Sequence, residues 1–539
     1  MWNVECSQRL VSRVLGIKLN AFPKAFTLAL LLLSLPLTQA EPPSPAAVLQ
    51  ELRSFREMGG VLYVAAHPDD ENTQMIAYLA RGKNYRTAYL SLTRGDGGQN
   101  VLSSDLDEQL GVARTQELLA ARRLDGGRQF FTRAIDFGFS KDYRETLNIW
   151  NKQEVLADMV RIIRHFQPDV IMARFSPQPG GTHGHHTASA VLAVEAFKLA
   201  GDPNAFPEQL KTLKPWQPKR IFMNGRGGEG LRMEISGQDA VSGKSLEELA
   251  GRSRAMHKTQ GFDNYRGGGG GPRSESLQLL DGATATNHFM EGIDTTWNRI
   301  PGGAEVEKLA GEMESKFDSE ELSANVPQLL KLRAALAGLP VDLVVTEKRQ
   351  QLDRILAACL GLEVKTEIAA AEAVPGERLV MKHSASVKSG PPVRWMAVRY
   401  PKTGKALDAS IDLKAGQPTL RESAQTLPKD IPLTQPYWLR EERTVGTFRV
   451  QDLSLITEPE NPPAFLIEQV FEVGGQTLVL ADEPVQTKAG MDVQDRPLDI
   501  IPHVSIGFAS SVSVFAPGSS REMEVELSAA RDVFSGVVQ

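Results

Sequence analysis

The chain has 539 residues, of which 60 are Lys or Arg and 66 are Asp or Glu, so its net charge is −6. With 41% hydrophobic and 23% charged residues it has the composition of a folded protein, which excludes a disordered, collagen-like or multi-span membrane protein. The negative charge gives no support for a nucleic-acid partner, and two cysteines exclude a disulfide scaffold and a cysteine-ligated zinc site.

The first forty residues have the features of a secretory signal peptide. Basic residues precede an apolar run over 25–33, and the small residues Thr38 and Ala40 predict cleavage before Glu41. An uncleaved anchor is the alternative, but the run is shorter than the about 20 residues that a membrane span needs. We therefore expect residues 1–40 to be a signal peptide and the mature protein to be exported, periplasmic or extracellular, with no stable membrane span.

The next part of the chain, residues 41–305, alternates predicted strands and helices. The predicted strands are 61–66, 87–93, 169–175 and 219–223, and the predicted helices are 46–58, 72–81, 110–124, 153–165 and 187–199. Such alternation indicates βαβ units, so the predicted fold class is α/β, a Rossmann-like, mostly parallel sheet with helices on both faces. Five consecutive glycines at 267–271 predict a loop late in this domain.

The remainder of the chain changes from helical to β patterns. Residues 306–365 predict a helical linker region, in which the apolar surroundings of Cys359 predict a buried thiol. Short alternating segments at 393–399, 446–450, 464–473 and 476–480 predict a β-sandwich over 366–490, with Trp438 in its core. Residues 491–539 predict a partial second β unit.

Two polar clusters carry the chemistry. Residues 67–71 (His-Pro-Asp-Asp-Glu) and 183–186 (His-Gly-His-His) each come after a predicted buried strand. The carboxyl ends of parallel strands lie at one edge of a sheet, so we expect the two clusters to meet in one crevice. If the following helix begins a turn early, His183 and His186 face the same way and His185 turns aside.

The composition of the clusters is that of a catalytic zinc site. Such a site uses three protein ligands, here two His and one Asp, and leaves one position open. A spare carboxylate beside the metal would accept a proton from water. Spacing alone leaves open which of Asp69 and Asp70 binds the metal. A lone His-Pro-Asp is usually only a turn, but the second cluster uses three of the nine histidines of the chain, which favours a metal site.

These motifs together resemble those of one known family. Residues 66–71 (Ala-His-Pro-Asp-Asp-Glu), the distal His-x-x-His, residues 93–97 (Thr-Arg-Gly-Asp-Gly) and the helix with Arg114 and Glu117 are similar to the LmbE-like/PIG-L de-N-acetylases. That family includes N-acetylglucosaminyl-phosphatidylinositol de-N-acetylase. The resemblance covers about residues 60–225, and the layout with an exported chain and appended β domains resembles a bacterial subgroup of the family.

The resemblance implies roles for the polar residues of both clusters. It implies that His67, Asp70 and His186 are zinc ligands and that Asp69 is the general base. It implies that His183 stabilises the oxyanion and protonates the leaving amine. Iron(II) can use the same ligands.

The resemblance also bears on residues around the clusters. It implies that Arg94 and Asp96 bind substrate hydroxyls, although the two could pair with each other in a glycine-rich turn. Arg114 and Glu117 form a surface ion pair or support the site. His185 replaces an acidic residue that often orients a ligand histidine in the family. His257, in a polar run before the glycine loop, could reach the crevice, but a surface position is favoured.

The leading functional hypothesis is a zinc-dependent de-N-acetylase that hydrolyses the acetamide of an N-acetylglucosamine-type sugar or conjugate. The alternative is a non-catalytic carbohydrate- or envelope-binding protein with a degenerate deacetylase domain. A phosphoesterase is less favoured, because two-metal phosphoesterases need more bridging carboxylates than these clusters contain. A Rossmann dehydrogenase is disfavoured because no Gly-x-Gly-x-x-Gly follows the first strand.

Overall fold

A computed structural model describes most of the chain. The residues described are 3–5, 43–180, 182–225, 230–264, 273–487, 495–508, 514, 516–520, 522, 524–531 and 535–537. Apart from residues 3–5, the predicted signal peptide lies outside them, as do the five consecutive glycines. Within the described part of the chain, no helix is long and apolar enough to cross a membrane.

The helices and strands alternate in the first half of the chain, and strands predominate after the last helix. The α-helices described are α1 Pro45–Arg56, α2 Thr73–Ala77, α3 Glu108–Asp125, α4 Tyr143–Ile149, α5 Lys152–Phe166, α6 Gly184–Ala200, α7 Leu246–Arg254, α8 Ala304–Ser315, α9 Val326–Ala337 and α10 Leu343–Leu360. The strands described are β1 Asn3–Glu5, β2 Gly60–Ala65, β3 Arg86–Thr93, β4 Arg128–Ala134, β5 Val170–Ala173, β6 Arg220–Asn224, β7 Leu231–Glu234, β8 Ser274–Gly282, β9 Glu363–Ile368, β10 Glu372–Ala373, β11 Arg378–Ser386, β12 Val393–Tyr400, β13 Lys405–Asp412, β14 Thr419–Thr426, β15 Ile467–Val473, β16 Gln476–Asp482, β17 Pro484–Gln486, β18 Arg496–Pro497, β19 Asp499–Ile500, β20 Val504–Phe508, β21 Val525–Ala529 and β22 Ser535–Val537.

A seven-stranded sheet forms the centre of the first domain, in the order β4-β3-β2-β5-β6-β8-β7. The first five strands in this order are parallel. At the far edge, β8 runs antiparallel to both of its neighbours, β6 and β7. Alternate residues of β2 pack on opposite sides: Leu62 and Val64 contact the core beneath α5 and α6, whereas Val61 and Tyr63 contact the core beneath α2, α3 and α7. The sheet is therefore covered by helices on both faces, which confirms the predicted α/β class.

The strand order reverses at the middle of this sheet. The chain runs outward from β2 through β3 to β4 and then crosses back to β5, which lies on the other side of β2. Ligands of open α/β sheets bind at such a switch point, outside the carboxyl ends of the strands. The segments that follow β2 and β5 carry the two polar clusters, so the topology places both at this crevice.

The C-terminal half contains two facing sheets, as the sequence predicts. One has the order β14-β11-β9-β17-β18, and the other has the antiparallel order β13-β12-β15-β16. Met381 of the first sheet and Trp395 and Phe471 of the second share one apolar core with α8, α9 and α10. Helix α1, which the sequence pattern assigned to the first domain, also packs here, because the apolar face that carries Leu52 and Phe55 lies against α8 and α10.

The structure corrects two sequence-based expectations between β14 and β15. Residues 446–450 do not form a strand; only Thr447 makes an isolated bridge, with Ala134 of β4. The connection over 430–463, here called the strap, crosses to the first domain and covers the free edge of β4. Trp438 consequently lies in the core of the α/β domain and not in that of the sandwich.

Candidate metal centre and its surroundings

The turn after β2 holds the first cluster in one conformation. The His67 backbone amide donates to Asp70 Oδ2 at 2.8 Å, and the Asp70 amide donates to the His67 carbonyl at 3.2 Å. Asp69 has a φ of +96°, which is strained for a residue with a Cβ. Its amide donates to Glu71 Oε2 at 2.9 Å, so Glu71 helps to hold this strained backbone.

The second cluster lies at the start of α6. His183 is the N-cap, and its Nδ1 accepts a hydrogen bond from the His185 amide at 3.0 Å. A neutral imidazole that accepts at Nδ1 carries its proton on Nε2. Burial, together with the neighbouring His67 and His186, lowers the pKa of His183 to about 4, so the neutral form is present at pH 7.

Three predicted ligands meet at the crevice. His67, Asp70 and His186 each offer one ligand atom, and these atoms lie within 4.8 Å of one another. His67 Nδ1 lies 3.0 Å from Asp70 Oδ2, and His186 Nε2 lies 3.4 Å from Asp70 Oδ1. The His186 ring stacks on Phe175, with 3.9 Å between centroids, which fixes its orientation. The structure thus brings the predicted ligand set together.

The electrostatics of this triad suit a cation. Burial alone would raise the pKa of Asp70, but His67 and His186 hold it well below its ordinary value, so Asp70 is a carboxylate. Burial opposes a charge on His67, yet Asp70 and Asp136 outweigh it and raise the pKa of the imidazole to about 9. Carboxylates that attract a proton this strongly also attract a divalent metal, and two imidazoles with one carboxylate are the donors of a catalytic zinc site.

Asp69 lies beside the triad and is held by Arg114. The guanidinium donates to Asp69 Oδ1 at 2.7 Å and to the Gly95 carbonyl at 3.0 Å. Burial raises the pKa of the Asp69 carboxyl, although Arg114 opposes this. Glu117 does not pair with Arg114; it accepts hydrogen bonds from the backbone and hydroxyl of Thr259. Arg114 therefore supports Asp69 and does not form an ion pair with Glu117.

His185 does not turn away from the site, as the spacing suggested. It is fully buried, with its Nδ1 3.0 Å from His67 Nε2. Its ring packs against Phe137 and Trp150, with centroids 4.4 and 4.7 Å away, and burial lowers its pKa. His185 thus orients His67 from behind, where the family often has an acidic residue. His67, His183 and His185 also form a second group of imidazoles whose ligand atoms lie within 4.8 Å.

His257 is fully buried, which contradicts its expected surface position. Its Nε2 lies 2.7 Å from Glu71 Oε1, and Arg122 donates to the same oxygen at 3.2 Å. Burial alone would raise the pKa of Glu71, but His257 and Arg122 lower it well below its ordinary value. The surface expectation was wrong because the segment before the glycine loop packs against the turn after β2, a contact that no local pattern indicates.

The two predicted substrate-binding residues have different surroundings. Arg94 is 1% exposed and donates to Tyr437 Oη and to the Pro459 carbonyl, both at 3.1 Å. It also donates to Thr115 Oγ1 of α3 at 3.1 Å, so its hydrogen bonds join α3 to the strap, and its role in binding substrate stays a prediction. Asp96 is also buried, and burial together with the nearby Asp136 raises its pKa to about 7.

Asp136 is a site residue that the sequence interpretation missed. It follows β4, and its two carboxylate oxygens lie 3.9 Å from His67 Nε2 and 3.7 Å from His185 Nδ1. The same rule that identified the other clusters, a polar residue after a parallel strand, would have identified Asp136 if the strand over 128–134 had been recognised.

Comparisons with known proteins agree with this geometry. Residues 62–197, which span β2 to most of α6, match the family model described as "PIG-L: GlcNAc-PI de-N-acetylase". The 1D-myo-inositol 2-acetamido-2-deoxy-α-D-glucopyranoside deacetylase of Streptomyces avermitilis is 27% identical over 35% of this chain and 72% of its own. The mycothiol S-conjugate amidase of Streptomyces coelicolor is 24% identical over 30% of this chain and 60% of its own.

A solved structure is also similar in part. The N,N'-diacetylchitobiose deacetylase of Pyrococcus horikoshii has a TM-score of 0.31 and 19% identity, over 41% of this chain and 83% of its own. The family model shows that residues 62–197 are a PIG-L family domain, as the motifs indicated.

Proposed function

We propose that this protein is a zinc-dependent de-N-acetylase that hydrolyses the acetamide of an N-acetylglucosamine-type sugar or conjugate. The observation that carries the proposal is the meeting of His67, Asp70 and His186 at the switch point of the sheet, beside Asp69 and His183. The PIG-L match and the names of the relatives support the same reaction class.

His67, Asp70 and His186 would hold the metal. A zinc ion bound by three protein ligands polarises a carbonyl oxygen and acidifies water at its open position. Asp69 would accept the proton of the attacking water, and the hydrogen bond from Arg114 to its Oδ1 leaves its Oδ2 for that role. A carboxyl whose pKa is raised by burial is a better proton acceptor near neutral pH.

We assign to His183 the stabilisation of the oxyanion. The His185 amide occupies its Nδ1, so its Nε2–H is free to donate to the oxyanion that develops on the acetamide oxygen. The proton that Asp69 takes from water would then be delivered to the amide nitrogen, which allows the C–N bond to break. Water and amide are thereby converted to acetate and a free amine.

The first test measures acetate release by the purified chain that begins at Glu41. Its substrates are N-acetylglucosamine, N,N'-diacetylchitobiose and 1D-myo-inositol 2-acetamido-2-deoxy-α-D-glucopyranoside, each with and without a chelator, and metal is quantified in the same sample. Chelator-sensitive release with about one metal per chain is the expected result. Bound metal without release from any acetamido sugar favours the carbohydrate-binding alternative, and absence of metal refutes the proposed centre.

The second test separates the base from the ligands. We expect Asp69→Asn to keep its metal and to lose about 10²–10⁴-fold in kcat, because the amide cannot accept the proton. His186→Ala is expected to lose metal as well as activity. The exposed Asp408→Asn is the matched control. Normal turnover of a metal-loaded Asp69→Asn protein would remove Asp69 from the role of base.

We also propose that the protein is exported after cleavage before Glu41, which the N-terminal sequence pattern supports. N-terminal sequencing of the protein recovered from outside the cytoplasm is expected to begin at Glu41. Recovery of a chain that still begins at Met1 would contradict this.

A further inference from the structure

A cleft of about 880 Å³ lies between the strap and the carboxyl edge of the sheet. Strap residues 439–445 form one wall, and the loops that carry Asp96 and Asp136 form the other. The volume is within the range of small-ligand sites, about 300–1,000 Å³. The strap lies outside the matched PIG-L residues, so this wall comes from the C-terminal half of the chain.

The cleft adjoins the metal centre. Asp136 belongs to both, since it lines the cleft and its Oδ2 lies 3.9 Å from His67 Nε2. Phe137 also lines the cleft, and its ring centroid is 4.4 Å from that of His185. Asp136 and Phe137 therefore border both the cleft and the histidines of the metal centre, so a ligand that extends beyond the metal centre could reach the cleft.

Asp96 provides a polar group without a protein partner in the wall of this cleft. The residue is 1% exposed, and its Oδ1 accepts from the Asp136 amide at 3.3 Å. Within the described residues, its Oδ2 has no hydrogen-bond partner. A buried carboxylate oxygen without a partner is costly, and a hydroxyl of a bound ligand would satisfy it.

An ion pair joins the opposite wall to the loop after β3. Arg443 donates to both carboxylate oxygens of Asp107, at 2.8 and 2.6 Å. Glu441 and Glu442 are exposed along this wall and add hydrogen-bond acceptors. The charged residues that line the cleft are Asp96, Asp107, Glu108, Asp136, Arg440, Glu441, Glu442 and Arg443. Six of these eight are acidic, so the cleft disfavours an anionic group.

We infer that this cleft binds a second, hydroxyl-rich and non-anionic unit of the substrate, joined to the sugar whose acetamide lies at the metal centre, and that the strap selects for it. This inference rests on the proposed function. It assigns to the C-terminal half of the chain a part in choosing the substrate of the N-terminal domain.

The test compares kcat/KM for N-acetylglucosamine, N,N'-diacetylchitobiose and N-acetylglucosamine 1-phosphate. The wild-type protein is expected to prefer the neutral disaccharide by about tenfold over either other compound, the effect of one or two hydrogen bonds. The double variant Glu441→Ala/Glu442→Ala is expected to lose this preference and to keep its activity on N-acetylglucosamine. Arg449→Ala, an exposed residue of the strap that does not line the cleft, is the matched control.

Equal kcat/KM for the three compounds, or an unchanged preference in the double variant, would overturn the inference while leaving the proposed function intact. If no compound releases acetate, the proposed function fails, and calorimetric titration of chelator-treated protein with N,N'-diacetylchitobiose tests the cleft alone. Binding that weakens about tenfold in the double variant would support the cleft as a saccharide site. Absence of binding, or equal binding by both proteins, would refute it.

Discussion

Arg114 holds the carboxylate of Asp69, the proposed base. Its guanidinium is buried and contacts both Asp69 and the loop after β3. That loop approaches closely because it contains glycine: a Cβ on Gly95 or Gly98 would come within 2.3 or 2.6 Å of Arg114 Nη1. Gly95 of the Thr-Arg-Gly-Asp-Gly segment, together with Gly98 after it, thus makes room for the arginine that contacts the proposed base.

We expect Arg114→Ala to lower kcat by about 10–100-fold, the usual cost of losing a residue that orients a site residue. Its metal content should stay at the wild-type level, because Arg114 contacts none of the three ligands by hydrogen bond. Steady-state kinetics with metal analysis measures both. Arg123→Ala, on an exposed position of the same helix, is the control. An unchanged kcat would show that Asp69 needs no such support.

His185 has a different task, since it contacts a proposed ligand directly. His185→Phe keeps a ring between Phe137 and Trp150 but removes the nitrogen that faces His67 Nε2. We expect the affinity for Zn²⁺ to fall about 10–100-fold, as measured by competition with a chelator. Wild-type affinity in this variant would mean that Asp136 alone orients His67.

At the scale of elements, α10 buries a lysine against α1. Lys348 is 1% exposed, and its Nζ donates to the Ser54 carbonyl. Burial lowers its pKa from 10.5 to about 7. Between these pH values the unfolded chain holds a proton that the folded protein lacks, so the stability of the protein rises with pH across this window.

Lys348→Met is therefore expected to stabilise the protein more at pH 6 than at pH 9. The difference between the two pH values should be on the order of 3 kcal/mol, because stability changes by about 1.4 kcal/mol per pH unit and about two units, from pH 7 to pH 9, lie between the folded and unfolded pKa values. Denaturant unfolding at both pH values measures it. Lys331→Met, at an exposed position of α9, should show no such pH dependence. An equal effect at both pH values would mean that Lys348 stays charged in the folded state.

The contact between the strap and β4 depends on a glycine. The Ile135 amide donates to the Gly446 carbonyl at 2.9 Å, and a Cβ on Gly446 would lie 1.7 Å from the Ile149 carbonyl oxygen. The backbone of the strap meets the backbone at the end of α4 here, and a backbone cannot move aside as a flexible side chain would. Only glycine permits this approach.

We expect Gly446→Ala to lower the free energy of unfolding by about 1–3 kcal/mol, the cost of overpacking. Gly507→Ala is the control, because no atom lies within 4 Å of a Cβ built there. Chemical denaturation of the two variants and the wild type measures the effect. If Gly446→Ala is as stable as Gly507→Ala, the strap does not pack closely against the backbone at Ile149.

At the scale of the whole molecule, Arg94 and Trp438 join the two halves of the chain. The guanidinium carbon of Arg94 lies 3.3 Å from the ring centroid of Trp438 and 4.1 Å from that of Phe131. Trp438 is buried in the core of the α/β domain, although it is carried by the strap between two strands of the sandwich. The two halves therefore share buried apolar surface, and we expect them to unfold together.

Trp438→Ala is expected to lower the free energy of unfolding by about 3–5 kcal/mol, as for other buried aromatic truncations. In calorimetry it should also separate the melting of the α/β domain from that of the sandwich. Trp438→Phe, which keeps a ring beneath Arg94, should show a smaller loss. A single transition at the wild-type temperature in Trp438→Ala would contradict the joining role.

Much of the centre followed from local sequence. A buried strand that ends in His67 and Asp70, and a helix that begins at His183 and His186, are short-range patterns, and parallel strands necessarily present their carboxyl ends at one edge. The sandwich likewise followed from alternating residues, as in β11, whose buried positions alternate with exposed ones along the strand. These features depend on the spacing of apolar residues along the chain and on its turn residues, and both can be seen in a single sequence.

The sequence by itself determined the α/β class, the two polar clusters that contain the proposed ligands and the β character of the C-terminal half, because each rests on neighbours within one or two elements. Only the tertiary structure decided that His257 lies behind the catalytic turn, that His185 supports His67 and that Trp438 belongs to the first domain. These placements depend on which distant segments pack together. The free edge of β4 accepts the strap because a glycine lets two backbones meet, and no periodicity in either segment encodes that meeting.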